Sequence, residues 1–236
     1  MATNYSPKIV TDGLVLSLDA ADKNSYIGSG TTWTDLSPNG NDGTLSAAAI
    51  GTDVPGSMDF NGSDEYVSIP DSTDWSFGTG EFAVEWWMKL HTTSQTHYAG
   101  YISTFIDHWT AGNWIIMNST QGDVIRVYLL DSESDEGGTT PFPALGSTTS
   151  WFHLCLTRVG DSGYVYINTV ESATNGAQDW SDKGFHSDDG NALQIGRGGG
   201  VYANVSIPIV RIYKGRSLSP SEVSQNFNAQ RHRFGV

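Results

Sequence analysis

Alternation of apolar and polar residues recurs along this chain and limits its fold more than any other feature. A β-strand points successive side chains to opposite faces, so a period of two builds one apolar face per strand. In 82–89, Phe82, Val84, Trp86 and Met88 share one such face. Runs at 124–129 and 163–168 are rich in β-branched and aromatic residues. Shorter runs lie at 14–18, 66–69, 102–106, 114–117, 152–156, 193–195 and 205–213. Turn clusters such as Ser37-Pro38-Asn39-Gly40-Asn41-Asp42-Gly43 and Gly160-Asp161-Ser162-Gly163 separate them. Many short strands with turns between them predict an all-β, two-sheet sandwich or a barrel.

One segment reads as a helix. Ser219 is an N-cap, Pro220 takes the first helical position, and Glu222 stands three residues after the cap. Val223 and Phe227 give it an apolar face, and it is expected to end near Ala229. The expected organisation is an extension over 1–12, one sandwich over 13–229 that includes this helix, and a basic tail over 230–236. At 236 residues the chain has the length of a single all-β domain.

Charge narrows the partners. There are 12 Lys+Arg against 26 Asp+Glu, a net charge of −14, which argues against nucleic acid and against an anionic membrane surface. Residues 211–236 nonetheless carry five basic side chains and one acid, net +4, leaving −18 on the rest. The tail is therefore predicted to contact another protein surface, with Phe234 as apolar anchor and Arg231 and Arg233 pairing with carboxylates. The alternative is that it lies back on its own acidic sandwich. Cys155, the only cysteine, sits in the apolar run Leu154-Cys155-Leu156 and reads as a buried, inert thiol. The opening MATNYSPKIVTDG has no apolar stretch of the secretory kind, and no 18-residue apolar run occurs. Synthesis in a reducing cytoplasm is the expectation.

Several segments together resemble one family. They are 13–45 (GLVLSLDAADKNSYIGSGTTWTDLSPNGNDGTL), 58–70 (MDFNGSDEYVSIP), 81–89 (EFAVEWWMK), 151–168 (WFHLCLTRVGDSGYVYIN), 192–198 (ALQIGRG) and 210–227 (VRIYKGRSLSPSEVSQNF). In this order they resemble the laminin-G-like branch of the concanavalin A-like lectin/glucanase superfamily, as found in tailed-phage virion proteins. The resemblance implies a jelly-roll sandwich of two antiparallel sheets with one short C-terminal helix. One departure is that Asn168-Thr169-Val170 stands where an Asp-Gly turn is usual, so a longer or bulged hairpin is expected there.

Glucanases of that superfamily set carboxylates on alternate residues of one strand, as Glu-x-Asp-x-x-Glu. Glu133 and Asp135 match the first two, but Gly138 takes the third place and the segment 131–138 reads as an acidic loop. Glu81 and Glu85 lie four apart with no third partner, and Glu85 is expected on the solvent side opposite Trp86. No nucleophile elbow, metalloprotease helix or phosphate loop occurs. The histidines lack zinc spacing. No catalytic residue is assigned.

The resemblance also implies calcium, held by hard oxygen ligands. Asp64, with Asp59, lies in the 59–66 turn, and Asp19 in the turn after the first strand; Asp in turns also caps backbone amides without any ion. Sugar binding needs an exposed aromatic platform among polar donors. Trp109 and His108, in an evident loop, are the candidates, with Tyr98 and Asn113 beside them, whereas Trp114 and Tyr101 read as core.

The leading expectation is a non-enzymatic virion component of a tailed phage, a capsid decoration or tail-associated attachment protein. It would be synthesised in the host cytoplasm, join other virion proteins of capsid or tail as a homo-oligomer, and have a lectin-like module able to bind host surface glycans. A free-standing lectin is the alternative, and a glucanase is the third reading.

Overall fold

The computed structural model describes residues 8–47, 49–51, 56–104, 113–118, 124–132, 135–172, 177–185 and 190–236, the side chains of 49–51, 130–132 and 135–141 excepted. Along the chain run β1 (Leu14–Asp19), β2 (Thr32–Trp33), β3 (Gly43–Leu45), β4 (Ala49–Gly51), β5 (Ser57–Asn61), β6 (Val67–Ile69), β7 (Phe82–Leu90), β8 (Gly100–Ser103), β9 (Trp114–Asn118) and β10 (Ile125–Ser132). Then come β11 (Asp135–Pro141), β12 (Phe152–Val159), β13 (Ser162–Ile167), β14 (Val170–Glu171), β15 (Gln178–Asp179), β16 (Leu193–Ile195), β17 (Arg197–Gly198), β18 (Val201–Tyr202), β19 (Asn204–Lys214) and the helix α1 (Pro220–Gln230).

The strands form two antiparallel sheets and a small ribbon. The first sheet runs β14-β13-β12-β7-β19-β5-β4, with β1 also on β19 and β15 on β13; the second runs β11-β10-β9-β8-β16-β6-β3-β2; β17 and β18 pair alone. Successive strands such as β5, β6, β7 and β8 alternate between the sheets, so the chain crosses the sandwich repeatedly. β19 changes neighbour on one edge, pairing β5 through 204–206 and β1 through 209–213. The break falls at Pro208, which has no N–H to give a ladder, while its carbonyl accepts from Ala20 N at 2.9 Å.

Between the sheets Phe82, Val84, Trp86 and Met88 meet Trp33, Phe60, Tyr101, Trp114 and Ile212 in one apolar core. Trp114 and Tyr101 belong to it, as their sequence context predicts. The alternate residues of β7 face away from this core, and they too are buried. This overturns the expectation that Glu85 meets solvent: the C-terminal segment covers that face. Ser219 and Glu222 form the reciprocal capping box, and α1 runs to Gln230, one residue past the expected end, before a 3₁₀ turn at Arg231–Arg233. Leu218 and Val223 cover Ala83, Cys155 and Tyr213. Phe227 and Phe234 cover Trp87 and Ile209.

The tail folds back on its own sandwich, the second of the two readings of its charge. The Phe234 ring stacks on Trp87 with centroids 4.1 Å apart and meets Trp151 at 5.1 Å. Arg233 forks onto both oxygens of Asp19 at 2.7 and 3.0 Å. Arg231 is exposed, its guanidinium 6.0 Å from the Phe227 ring. The predicted contact of Phe234 and Arg233 with another protein is thereby corrected. The apolar surface they need comes from Trp87 and Trp151, more than sixty residues apart in sequence, and burying a Phe ring is worth about 1.5–3 kcal/mol.

Two turn expectations also change. Val170 pairs with Ile167, so Asn168-Thr169 is a two-residue turn, neither longer nor bulged. Their φ values of 48° and 77° are the left-handed pair that such a hairpin demands, and the Asn168 side chain anchors it by accepting from His153 N at 2.9 Å. The segment expected as an acidic loop supplies β11, whose backbone pairs with β10, while 133–134 lie outside the described residues. An unpaired edge of β10 is a ready template for such a strand.

Candidate functional site

Two polar regions stand out, and they differ in access. The first lies under α1. Glu85 is wholly buried; its Oε1 accepts from Arg211 Nη1 at 2.7 Å and its Oε2 from Asn226 Nδ2 at 2.9 Å. His153 Nε2 stands 3.4 Å from Oε2. Burial pushes the Glu85 carboxyl up, but His153 and the Arg211 guanidinium outweigh it and hold it at about 2. Asn226 Nδ2 also donates to the Tyr213 hydroxyl at 3.0 Å, and its Oδ1 accepts from Val10 N at 2.7 Å. Burial and the Glu85 charge push the neighbouring Cys155 thiol up, keeping it inert as expected. This network ties the helix and the chain start to the sheet, and nothing from solvent reaches it.

The second region is at the rim, where β5 crosses to β6. Tyr66, Arg197 and Tyr202 are all half-buried and form one stack. The guanidinium lies 5.2 Å from the Tyr66 ring centre and 5.3 Å from that of Tyr202, and the two rings are 6.1 Å apart. Such cation–π contacts order long side chains that would otherwise rotate freely. Tyr66 is pinned by its backbone, N donating to Ser46 Oγ and O accepting from Ser46 N, both at 2.9 Å.

The β17–β18 hairpin is pinned by close packing. Gly199 and Gly200 turn it at φ 56° and 76°. A Cβ on Gly100 would come within 2.3 Å of Gly198 N, so hairpin and β8 touch backbone to backbone. Gly196 N donates to Tyr101 O and Ala203 N to Gly196 O, each at 2.9 Å. The glycine-rich 196–200 run is therefore a rigid support, not a flexible turn.

A hydrogen-bonded chain runs from the start of β19 beside this stack. His91 Nδ1 is 2.9 Å from Asn204 Oδ1, and Nε2 is 2.7 Å from Ser206 Oγ. These are the distances of a nucleophile, base and orienting group. The arrangement does not act so: Ser206 is wholly buried and donates to Asp59 Oδ1 at 2.6 Å, so its oxygen faces no substrate. Gln95 clamps the Asn204 backbone from both sides, at 2.7 and 3.0 Å. The chain holds the rim in shape.

Next to Tyr66, burial pushes the Glu65 carboxyl above its ordinary value; Asp64 and Asp59 push the same way, while the Asn61 backbone and His91 oppose. Asp64 is exposed, and its Oδ1 accepts from Asn61 Nδ2 at 2.8 Å. Of the expected calcium ligands, then, Asp59 and Asp64 sit near the rim, whereas Asp19 ends β1 beside Ile209 of β19, with Arg233 on both its oxygens. Among the described residues no three His, Cys, Asp or Glu side chains are grouped to hold a metal.

Two of the expected sugar-binding residues, Tyr98 and Asn113, sit at opposite ends of β9. Trp109 and His108 lie outside the described residues. Tyr98, at φ 68°, stacks on His97 and packs against Ile115, Met117 and Tyr128. Asn113 is buried at the opposite end of β9, accepting from Asn191 Nδ2 at 3.3 Å. The rim residues Tyr66, Arg197 and Tyr202 were not singled out. The usable signal was an aromatic or arginine placed inside Gly-rich turn segments, where core packing gives it no role.

A two-sheet antiparallel jelly roll with a rigid aromatic rim defines a lectin-like module. The chain belongs to the concanavalin A-like lectin/glucanases superfamily, whose laminin-G-type sequence profile matches residues 60–224. No curated protein matches the sequence. Among solved structures, the receptor binding domain of botulinum neurotoxin C/D mosaic serotype superposes with TM-score 0.69 at 17% identity, over 94% of this chain and 52% of that one. The binding domain of botulinum neurotoxin DC, in complex with SialylT, gives 0.69 at 15% identity over 93% and 52%. Trypanosoma rangeli sialidase, in complex with the inhibitor DANA, gives 0.63 at 16% identity over 98% and 36%. The chain thus spans about half of each toxin domain and about a third of the sialidase chain, and at these identities the likeness establishes the fold alone.

Proposed function

We propose that this chain is a non-enzymatic glycan-binding module displayed on a tailed-phage particle, with the Tyr66–Arg197–Tyr202 stack as its sugar platform. The observation that carries the reading is this stack, held by two pinned backbones at an accessible rim. Sugar rings present C–H faces that pack on aromatic rings, and their hydroxyls need convergent polar groups. Glu65, Asp64 and Asn204 adjoin the stack in sequence. A toxin binding domain solved in complex with SialylT shares this fold over about half its length, which supports the glycan reading. The resemblance of 13–45 and 58–70 to virion modules supports the particle reading.

The test is a glycan array with the wild-type chain and Tyr66→Ala and Tyr202→Ala. Array hits lost in both variants, which stay folded, are expected; hits that survive both would place the sugar elsewhere. Mass spectrometry of purified particles is expected to detect the chain, and its absence there would remove the virion role.

A further inference from the structure

Resting on the sugar-platform reading, we infer that the rim takes uncharged glycans and discriminates against sialylated or sulfated ones. The argument is electrostatic. The one cation of the stack, Arg197, already faces two tyrosine rings, at 5.2 and 5.3 Å. The approach to Tyr66 is flanked by carboxylates in the two preceding residues: Asp64 is exposed and Glu65 is half-buried, and the Asp64 and Asp59 charges both push the Glu65 carboxyl up against the opposing pull of the Asn61 backbone and His91. Lys89, the basic residue that shares a strand pair with Ser206, lies over the Trp151 ring at 5.4 Å. The chain as a whole carries a net −14.

Carboxylates accept hydrogen bonds and donate none when ionised, so they match sugar hydroxyls and clash with a second carboxylate or a sulfate. Specificity by like-charge repulsion needs no extra contact to the right ligand. An uncharged hexose with free vicinal hydroxyls can donate to Glu65 and Asp64 while its ring lies against a tyrosine. A sialylated version of the same glycan brings its negative charge to the same carboxylates.

An array of matched pairs, each glycan printed with and without its sialic acid or sulfate, tests this. Uncharged members are expected to bind at least about tenfold more tightly at low salt, a difference of about 1.4 kcal/mol. Raising the salt should shrink the gap, because screening acts on exposed charges. The double variant Asp64→Asn with Glu65→Gln should bring the pairs within about threefold while Tyr66→Ala still abolishes both, a ratio that follows from removing two repelling charges. Equal or tighter binding of the charged members to the wild type overturns the inference and leaves the platform standing. Absence of any Tyr66-dependent hit overturns the platform reading and the inference with it.

Discussion

The buried network under α1 and the open rim are both built from charged and aromatic side chains, yet they use them in opposite ways. Around Glu85 both carboxylate oxygens and both Asn226 side-chain polar atoms have partners from other elements, and the network draws on β7, β12, β19, α1 and the chain start. At the rim, Tyr66, Arg197 and Tyr202 hold one another and keep part of their surface in water. The contrast teaches where a sandwich tolerates ionisable groups. A buried carboxylate survives only with a guanidinium and amide donors in place, because a lone buried charge costs several kcal/mol. A half-exposed arginine over tyrosines keeps part of its surface in water and needs no such compensation.

The sharpest break of this contrast is Glu85→Gln. It leaves Arg211 buried and unpaired, so a loss of about 3–5 kcal/mol is expected in denaturant unfolding, with rim binding per folded molecule unchanged. If the variant is as stable as the wild type, the network is not what locks the helix. Next in size is Phe234→Ala, expected to cost about 2–3 kcal/mol by uncovering Trp87, and read as an earlier thermal melt with the oligomeric state unchanged. A normal melt with lost assembly would return the tail to an interface role.

The rim should respond differently. Gly100→Ala pushes a methyl into the Gly198 backbone, and an overpacking cost of about 1–3 kcal/mol is expected together with loss of glycan binding, since the hairpin moves as a unit. Tyr66→Ala, at a half-exposed site, should change stability by less than about 1 kcal/mol while removing binding. The buried network also carries a pH dependence. Glu85 is held at about 2 against an ordinary 4.5, so its contribution is full above pH 4.5 and fades as pH falls toward 2. Melts between pH 6 and pH 2.5 should therefore decline only in the lower part of that range, and Glu85→Gln should lose that part of the slope.

Alternation in 82–89, the Ser219–Glu222 capping box and the apolar setting of Cys155 made the strands, the helix and the inert thiol readable, because each depends on neighbours within a few residues. The ordered family segments carried the sandwich itself. Alternation also implied that the odd-numbered face of β7 meets water, and there it misled. Whether that face is wet depends on a helix and tail 130 or more residues later, which no local pattern encodes. For the same reason the charge of Arg233 and the apolarity of Phe234 were legible while their partners, Asp19 and Trp87, were not. Tyr66, at the head of the 66–69 run, and Tyr202, just after the glycine-rich 196–200 segment, lie 136 positions apart in sequence. Only the crossing of β5 to β6 beside a hairpin pressed against β8 brings them together, so the strands were decided by local chemistry and the rim by the packing of distant backbones.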